Sequence, residues 1–420
     1  MIRNVLWMGV STATRLGSGF LLFVLIARHL GPAEFGHYMF WFSATYLCAL
    51  LANFGLSNML LKEMSQRPNE VRQYLATGLV LRLSISGVLL SGAFISAFFV
   101  DRPDLLLLLL CANFVEVIAD TYFVGYRATG HYANEARIAT LLALIQFALV
   151  GGVVYAGQNA SAIAFAFLCG RILQLVAIRQ ASKAIFGKIR LPKIDAGLVL
   201  AKRAAAYAVD FAFGNFFGNI DSVVLRLLVG VEAVGLFQSG MRLFQGGAQA
   251  APILANVFLP AVARAATDGS DSSRAAKSLQ LVFLGFGAFF GLGLTYFADK
   301  VVSLAFGADY AALSGLLPWF GLLFFVRFFA ASWGLILTAN GHQSYRARAT
   351  AVHLVVMLAL GFGLTPSQGL SGWIIAMVLA NALLGLLYMI RAISQGVASS
   401  SPLMAGATLV GCLLFIPRLI

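Results

Sequence analysis

The chain is a succession of apolar stretches, most of them roughly 18–28 residues long, joined by short polar connections. A helix of that length crosses a hydrocarbon core about 30 Å thick and satisfies its own backbone hydrogen bonds, as lipid requires. The alternating ten-residue segments of an outer-membrane barrel do not occur. The expected fold is therefore an all-α polytopic membrane protein, with spans at 4–27, 38–61, 74–100, 105–126, 138–156, 160–179, 204–229, 234–262, 279–298, 312–339, 350–364 and 370–390. A further apolar stretch, 403–416, is short for a crossing and reads either as a thirteenth span or as an interfacial segment. The start of the chain resembles a signal peptide, but no small-residue cleavage site follows and the apolar run continues to Ile26. It is read as the first span.

Of the 420 residues, 60% are hydrophobic and 11% charged, too few charges to disperse a soluble domain. Cys48, Cys111, Cys169 and Cys412 lie in apolar segments with no Cys-x-x-Cys among them, so they read as small buried residues. No metal site and no cofactor are expected. The sequence has no Gly-x-x-x-x-Gly-Lys-Ser/Thr loop, hence no P-loop ATPase of its own.

The net charge of +13 is sorted by membrane side. One set of connections, together with Arg3, carries nineteen Lys and Arg residues, including Lys62, Arg67, Arg127, Arg137, Arg264, Arg346 and the run from Arg179 to Arg203. The other set carries three, Arg28, Arg102 and Lys300. The positive-inside rule then places the N-terminus of this multi-pass protein in the cytoplasm. This distribution absorbs most of the basic excess, so no nucleic-acid partner is expected. The 183–203 run reads as a topology signal before it reads as a lipid-headgroup site. No connection is long enough to house a soluble catalytic domain.

Two segments recur. Gly31-Pro32-Ala33-Glu34-Phe35-Gly36 follows the first span, and Gly230-Val231-Glu232-Ala233-Val234-Gly235 follows the seventh. Gly130-His131 with Arg137 follows the fourth span, and Gly341-His342 with Arg348 follows the tenth. Both recurrences are six spans apart, so a six-helix unit is duplicated in parallel. The expected organisation is an N-terminal lobe at 1–182, a basic linker at 183–203, a C-terminal lobe at 204–391 and a tail at 392–420. Parallel repeats related by an axis along the membrane normal are a transporter architecture, with the site expected near the midplane.

Several charges lie inside spans, where each costs about 2.5–3.5 kcal/mol on the insertion scale. They are Arg15, Arg82, Arg171, Arg242 and Arg327, with Glu116, Asp120, Asp210 and Asp221. Arg226, four residues before Gly230, is expected to snorkel to the outer surface. In span eight Gln238, Arg242, Gln245, Gln249, Pro252 and Asn256 fall at helical spacing on one face. Such a stripe is either a wall facing water or a buried polar seam, and the proline within it favours the wall. In span four Asn113, Glu116, Asp120 and Arg127 share a face, and the offset that carries Gly130 to Gly341 carries Glu116 to Arg327. All the deep cations are arginine, whose planar fork grips phosphate oxygens through paired hydrogen bonds. Arg15, Arg242, Arg327, Gln238, Gln245 and Gln249 are the expected substrate contacts, with Asp210, Asp221, Glu116 and Asp120 in coupling or gating. Structural ion pairing is the alternative for each of these charges.

The segment Ala27-Arg28-His29-Leu30-Gly31-Pro32-Ala33-Glu34-Phe35-Gly36-His37-Tyr38 resembles one of the bacterial polysaccharide transporters, or O-antigen flippases, of the multidrug/oligosaccharidyl-lipid/polysaccharide exporter superfamily. Phe54-Gly55-Leu56-Ser57-Asn58 with Lys62-Glu63, and Gly235-Leu236-Phe237 with Met241-Arg242-Leu243, are similar to two more of its stretches. Asn53 stands where that pattern has an acidic residue, and Phe237 where tyrosine is usual. The resemblance implies two six-helix lobes and alternating access. It also implies a polyprenyl-diphosphate-linked oligosaccharide as cargo, flipped from the cytoplasmic to the periplasmic leaflet, with glycan-assembly enzymes as partners. The alternatives are another exporter of the superfamily, for the peptidoglycan lipid precursor or for drugs, and a membrane-embedded glycan polymerase or ligase. The short outer loops disfavour the enzyme.

Overall fold

The structure is a computed structural model that describes residues 2–189, 200–202, 204, 219–268, 272–396 and 415. Among these residues it is built from helices joined by turns and short irregular connections. In chain order the long helices are α1 (Ile2–Asn53), α2 (Leu56–Gln66), α3 (Val71–Ser96), α4 (Pro103–Ala128), α5 (Tyr132–Tyr155) and α6 (Ala160–Phe186). They continue as α7 (Val231–Ala248), α8 (Ala250–Asp268), α9 (Ser272–Tyr296), α10 (Ala298–Ala305), α11 (Ala311–Ala339) and α12 (Gln343–Ser394). Nine stretches among the described residues are long and apolar enough to cross a bilayer. Most of span seven, with Asp210, and all of 403–416 except Phe415 lie outside the described residues.

Prolines and positive-φ residues decide where helices bend. α1 holds the first expected span and most of the second, and bends at Gly31 (φ 71°, ψ 170°) just before Pro32. α12 holds spans eleven and twelve and bends at Gly369, three residues after Pro366. Span 38–61 is not continuous: Phe54 (φ 47°) and Gly55 (φ 67°) end α1 and start α2. Span 234–262 lies in one apolar stretch in which α7 gives way to α8 at Gln249, whose backbone stays in the right-handed helical region (φ −62°, ψ −17°). The proline ring of Pro252 collides with the carbonyl four residues back, that of Ala248, and it has no N–H to offer it.

The chain divides into two compact units, Met1–Leu227 and Leu228–Ile420. In the first, α1 packs on α4 and α5, and α4 packs on α6 and α3. In the second, α11 is the central helix, flanked by α9 and α12. Its core is a phenylalanine stack: Phe290 and Phe328 lie 4.5 Å and 4.6 Å from Phe324 by ring centroids, and Phe244 meets Phe324 edge-on at 5.4 Å. Each such pair contributes about 0.5–1.5 kcal/mol beyond area burial. α9 and α11 touch backbone to backbone where Gly291 faces Gly321. A Cβ on either would collide with the other's carbonyl oxygen. Close approach through small residues replaces the hydrophobic drive that helices lack in lipid.

The two units repeat one turn. Gly130 (φ 77°) and Gly341 (φ 78°) hold equivalent left-handed positions. The following N-cap histidines match in backbone angles: His131 has φ −82° and ψ 42°, His342 φ −84° and ψ 37°. The His131 N–H bonds the Tyr126 carbonyl and the His342 N–H the Leu337 carbonyl, each at 2.9 Å. All of these pairs are related by the same offset of 211 residues, Gly130 to Gly341.

Arg226 reaches the α3–α4 connection, outside the long apolar helices, and is held there by pairing. It donates to Asp101 Oδ2 at 2.6 Å, and its guanidinium lies 4.1 Å from the Phe40 ring centre. His37 Nδ1 stands 3.6 Å from the same carboxylate. Beside it Arg102 bonds Glu34 at 3.0 Å and Asp104 at 3.3 Å, and Ser161 donates to Asp104. Partial burial alone would raise the Asp101 pKa, but the Arg226 hydrogen bond and charge outweigh it and hold the carboxyl below the usual range.

Two predictions follow from this packing. Replacing Gly321 by valine should destabilise the protein by about 1–3 kcal/mol through overpacking. Gly293→Ala, where a Cβ meets nothing within 4 Å, should be near neutral. Melting of the purified protein in detergent compares the two. Asp101→Asn should lower the melting temperature at neutral pH by the equivalent of no more than about 1 kcal/mol, since the Asp101 side chain is 43% exposed. Because the folded pKa is depressed, that difference is present above the ordinary carboxylate range and closes as pH falls below about 4. A difference that is the same at every pH would count against the ion pair.

Candidate functional site

In the first unit α1, α4, α5 and α6 enclose a cavity of about 360 Å³. Its polar wall consists of Thr12, Arg15 and Ser18 from α1, Glu116, Asp120 and Arg127 from α4, Gln146 from α5, and Arg171 and Gln174 from α6. The apolar remainder includes Phe23, Phe42, Leu142 and Phe167. The helical spacing that puts Glu116, Asp120 and Arg127 on one face of α4 thus aims all three at one space. Asn113, on the same face, instead donates to Thr45 at 3.0 Å in the helix packing.

The charges of this wall are paired. Arg171 bonds Glu116 at 2.7 Å, reaches Gln174 at 2.9 Å, and stacks over Phe167. Asp120 stands between two arginines, Arg127 at 3.0 Å and Arg82 at 3.4 Å. Arg127 continues to the buried Glu135 at 3.0 Å. Arg82, Asp120, Arg127 and Glu135 therefore form an alternating chain of opposite charges. Arg82 is fully enclosed and spends its fork on Asn53 (2.6 Å), Ser57 (2.7 Å), Thr121 (2.7 Å) and the Val117 carbonyl (2.7 Å). Asn53 is the residue that departs from the acidic pattern of the resembled family. Its amide oxygen accepts from Arg82 while Asp120 supplies the charge.

Arg15 differs. It is exposed and makes no ion pair among the described residues, although the field of its charge reaches Glu135. Asp221 is buried in the helical segment at 219–228 and is not among the residues that line this cavity. Gln146 and Gln174 were not legible as site residues, being lone amides in apolar spans. Arg127 reads in the sequence as a loop charge.

The second unit holds the remaining expected contacts. Gln238 is buried, Arg242 is half-buried and reaches Gln245 at 3.4 Å, and Gln245, Gln249, Pro252 and Asn256 are exposed. Four of the six stripe residues are thus exposed, and the stripe runs across Gln249 from α7 into α8. Arg327, on α11, has an exposed side chain. Its guanidinium stands 6.0 Å from the Phe244 ring, and no described carboxylate acts on it.

Removing Arg82 would strand several buried acceptors and a half-paired carboxylate. Arg82→Ala should cost about 3–5 kcal/mol, read as loss of folded protein in detergent. Arg171→Ala, on an open cavity wall, should cost clearly less. Equal losses would place the keystone elsewhere.

Residues 1–266 match the family described as "Polysaccharide biosynthesis protein". Among characterised relatives, the "Probable low-salt glycan biosynthesis flippase Agl15" of Haloferax volcanii is 22% identical over 382 residues, covering 87% of this chain and 78% of that protein. The "Capsular polysaccharide biosynthesis protein CapF" of Staphylococcus aureus is 22% identical, covering 89% and 94%. The fold is similar to that of the lipid II flippase MurJ in an inward closed conformation, with a TM-score of 0.70, 13% identity, and coverage of 98% and 97%. It is also similar to an inward-facing multidrug resistance MATE family transporter of the MOP superfamily, with a TM-score of 0.64, 14% identity, and coverage of 93% and 98%. The chain therefore belongs to the polysaccharide biosynthesis protein family and has the helical fold of the MOP transporters.

Proposed function

We propose that this protein is a flippase that moves a polyprenyl-diphosphate-linked oligosaccharide from the cytoplasmic to the periplasmic leaflet of the bacterial inner membrane by alternating access of two six-helix lobes. The N-terminus is cytoplasmic in this reading, and the protein acts as a transporter, not an enzyme, beside glycan-assembly enzymes. The observation that carries the reading is Arg327, inside an apolar span, with an exposed side chain and no described carboxylate acting on it. A guanidinium at that depth, costly when alone, is suited to an anion arriving from outside. The family match and the names of the relatives support glycan as the rest of the cargo.

In this reading Arg15, Arg242 and Arg327 meet the diphosphate, and Gln238, Gln245 and Gln249 meet sugar hydroxyls. Glu116 and Asp120 couple the step to a cation gradient by exchanging their arginine partners. Asp210 and Asp221 serve gating.

Cells lacking the protein should accumulate a polyprenyl-linked glycan on the cytoplasmic side, read by lipid extraction and mass spectrometry. The Arg15→Ala/Arg242→Ala double variant, at normal protein level, should restore less than about a tenth of export, since two diphosphate contacts at about 1.5 kcal/mol or more apiece are lost. Full export by that variant, or the absence of any accumulated lipid-linked glycan, would sink the reading.

A further inference from the structure

The duplicated turn gives a register in which the interiors of the two units can be compared. At the offset that carries Gly130 to Gly341, Glu116 corresponds to Arg327, Asp120 to Ala331 and Leu142 to His353. Glu116, Asp120 and Leu142 all line the cavity of the first unit. At the turn itself the contact also changes character. Arg127 bonds Glu135 in the first unit, and the equivalent positions hold Thr338 and Arg346, which bond each other in the second. The second unit thus keeps the turn and drops the acids at the positions equivalent to Glu116, Asp120 and Glu135.

The sequence makes that loss complete. After Asp309 it contains no acidic residue. Asp309 itself lies in the short turn before α11, 18 residues from Arg327, about 27 Å along a helix. The deep charge of α11 and α12 is therefore basic only. Within it, His353 is half-buried, its Nε2 is buried with no hydrogen-bond partner among the described residues, and the charge of Arg327 reaches it. A buried imidazole nitrogen left unpaired costs about 1–3 kcal/mol, so its presence calls for a partner.

We propose that His353 is a second binding residue beside Arg327, and that the two form an anion site in the second unit for the phosphate oxygens of a lipid headgroup. This rests on the proposed function and adds to it a residue that sequence reading did not nominate. Arg327 supplies the permanent charge and the fork, and the imidazole N–H supplies a donor whose partner arrives with the ligand. The first unit, with Glu116–Arg171 and Arg82–Asp120–Arg127–Glu135 already matched, has less need of an anion. Glu116 and Asp120 of the first unit thus serve cation exchange, while Arg327 and His353 of the second add a headgroup site to the contact made by Arg15.

The test uses the full-length protein in lipid nanodiscs, titrated with geranylgeranyl diphosphate, geranylgeraniol and inorganic pyrophosphate, with melting measured on the same samples. His353→Leu removes the unpaired nitrogen and keeps the bulk. It should melt no lower than wild type yet bind geranylgeranyl diphosphate about five- to tenfold more weakly. His353→Gln, which keeps a donor, should recover part of that loss. Arg327→Ala should weaken diphosphate binding at least tenfold, and adding His353→Leu should weaken it little further, because both residues serve one group. Geranylgeraniol affinity should not change in any variant. Tighter binding of the prenyl diphosphate than of pyrophosphate assigns the site to a lipid headgroup, and equal binding assigns it to a free phosphate anion. If His353→Leu and His353→Gln bind the diphosphate like wild type while Arg327→Ala does not, the role of His353 is refuted and the flippase reading stands. If Arg327→Ala, Arg15→Ala and Arg242→Ala all bind like wild type, the anion reading of the deep arginines fails with it.

Discussion

A guanidinium in hydrocarbon must find its counter-charge or face water, and this demand organises the interior of the protein. In the first unit it is met by pairing. Arg82 is enclosed by Asn53, Ser57, Thr121, the Val117 carbonyl and Asp120, contributed by α1, α2 and α4. One side chain on α3 thereby ties four helices, and its fork leaves little freedom in how they cross. Asp120 balances Arg82 and Arg127 at once, and Glu135 completes the balance. The Coulomb attraction is large only because the surroundings are dry, and the same dryness makes a broken pair expensive.

In the second unit the described core is aromatic. The ring stack of Phe283, Phe286, Phe290, Phe324 and Phe328 and the glycine contact between Gly291 and Gly321 make up its described core. Arg327 lies on α11 beside this apolar core, 6.0 Å from the Phe244 ring. Arg327 and His353 hold no fold together by hydrogen bonds, which is why a ligand role suits them. Duplication thus preserved the backbone of a helix–turn–helix, down to the angles at His131 and His342, while its two copies diverged in charge.

The polytopic helical fold was legible in the sequence because hydrocarbon imposes one pattern, length and apolarity, on every crossing. The repeat was legible because left-handed glycines at equivalent turns leave few substitutions open. Interruptions were less so: the Phe54–Gly55 break and the α7–α8 junction fall inside apolar runs that window length reads as continuous. The facing of α4 was readable from its spacing, yet the same spacing did not tell that Asn113 turns to Thr45 while Glu116 and Asp120 reach a cavity. Periodicity fixes a direction around the helix and is silent on what lies in that direction.

By itself the sequence determined which residues are deep and that the deep cations are arginines, because depth follows from position in an apolar run. It could not determine which of those charges are spent. Pairing depends on distances of a few ångströms between helices far apart in the chain, such as Arg171 to Glu116 or Arg226 to Asp101. Only the packed structure sets those distances. It made Arg82 a structural keystone, left Arg327 open, and gave His353, an inconspicuous residue in an apolar helix, an unmet hydrogen bond beside it.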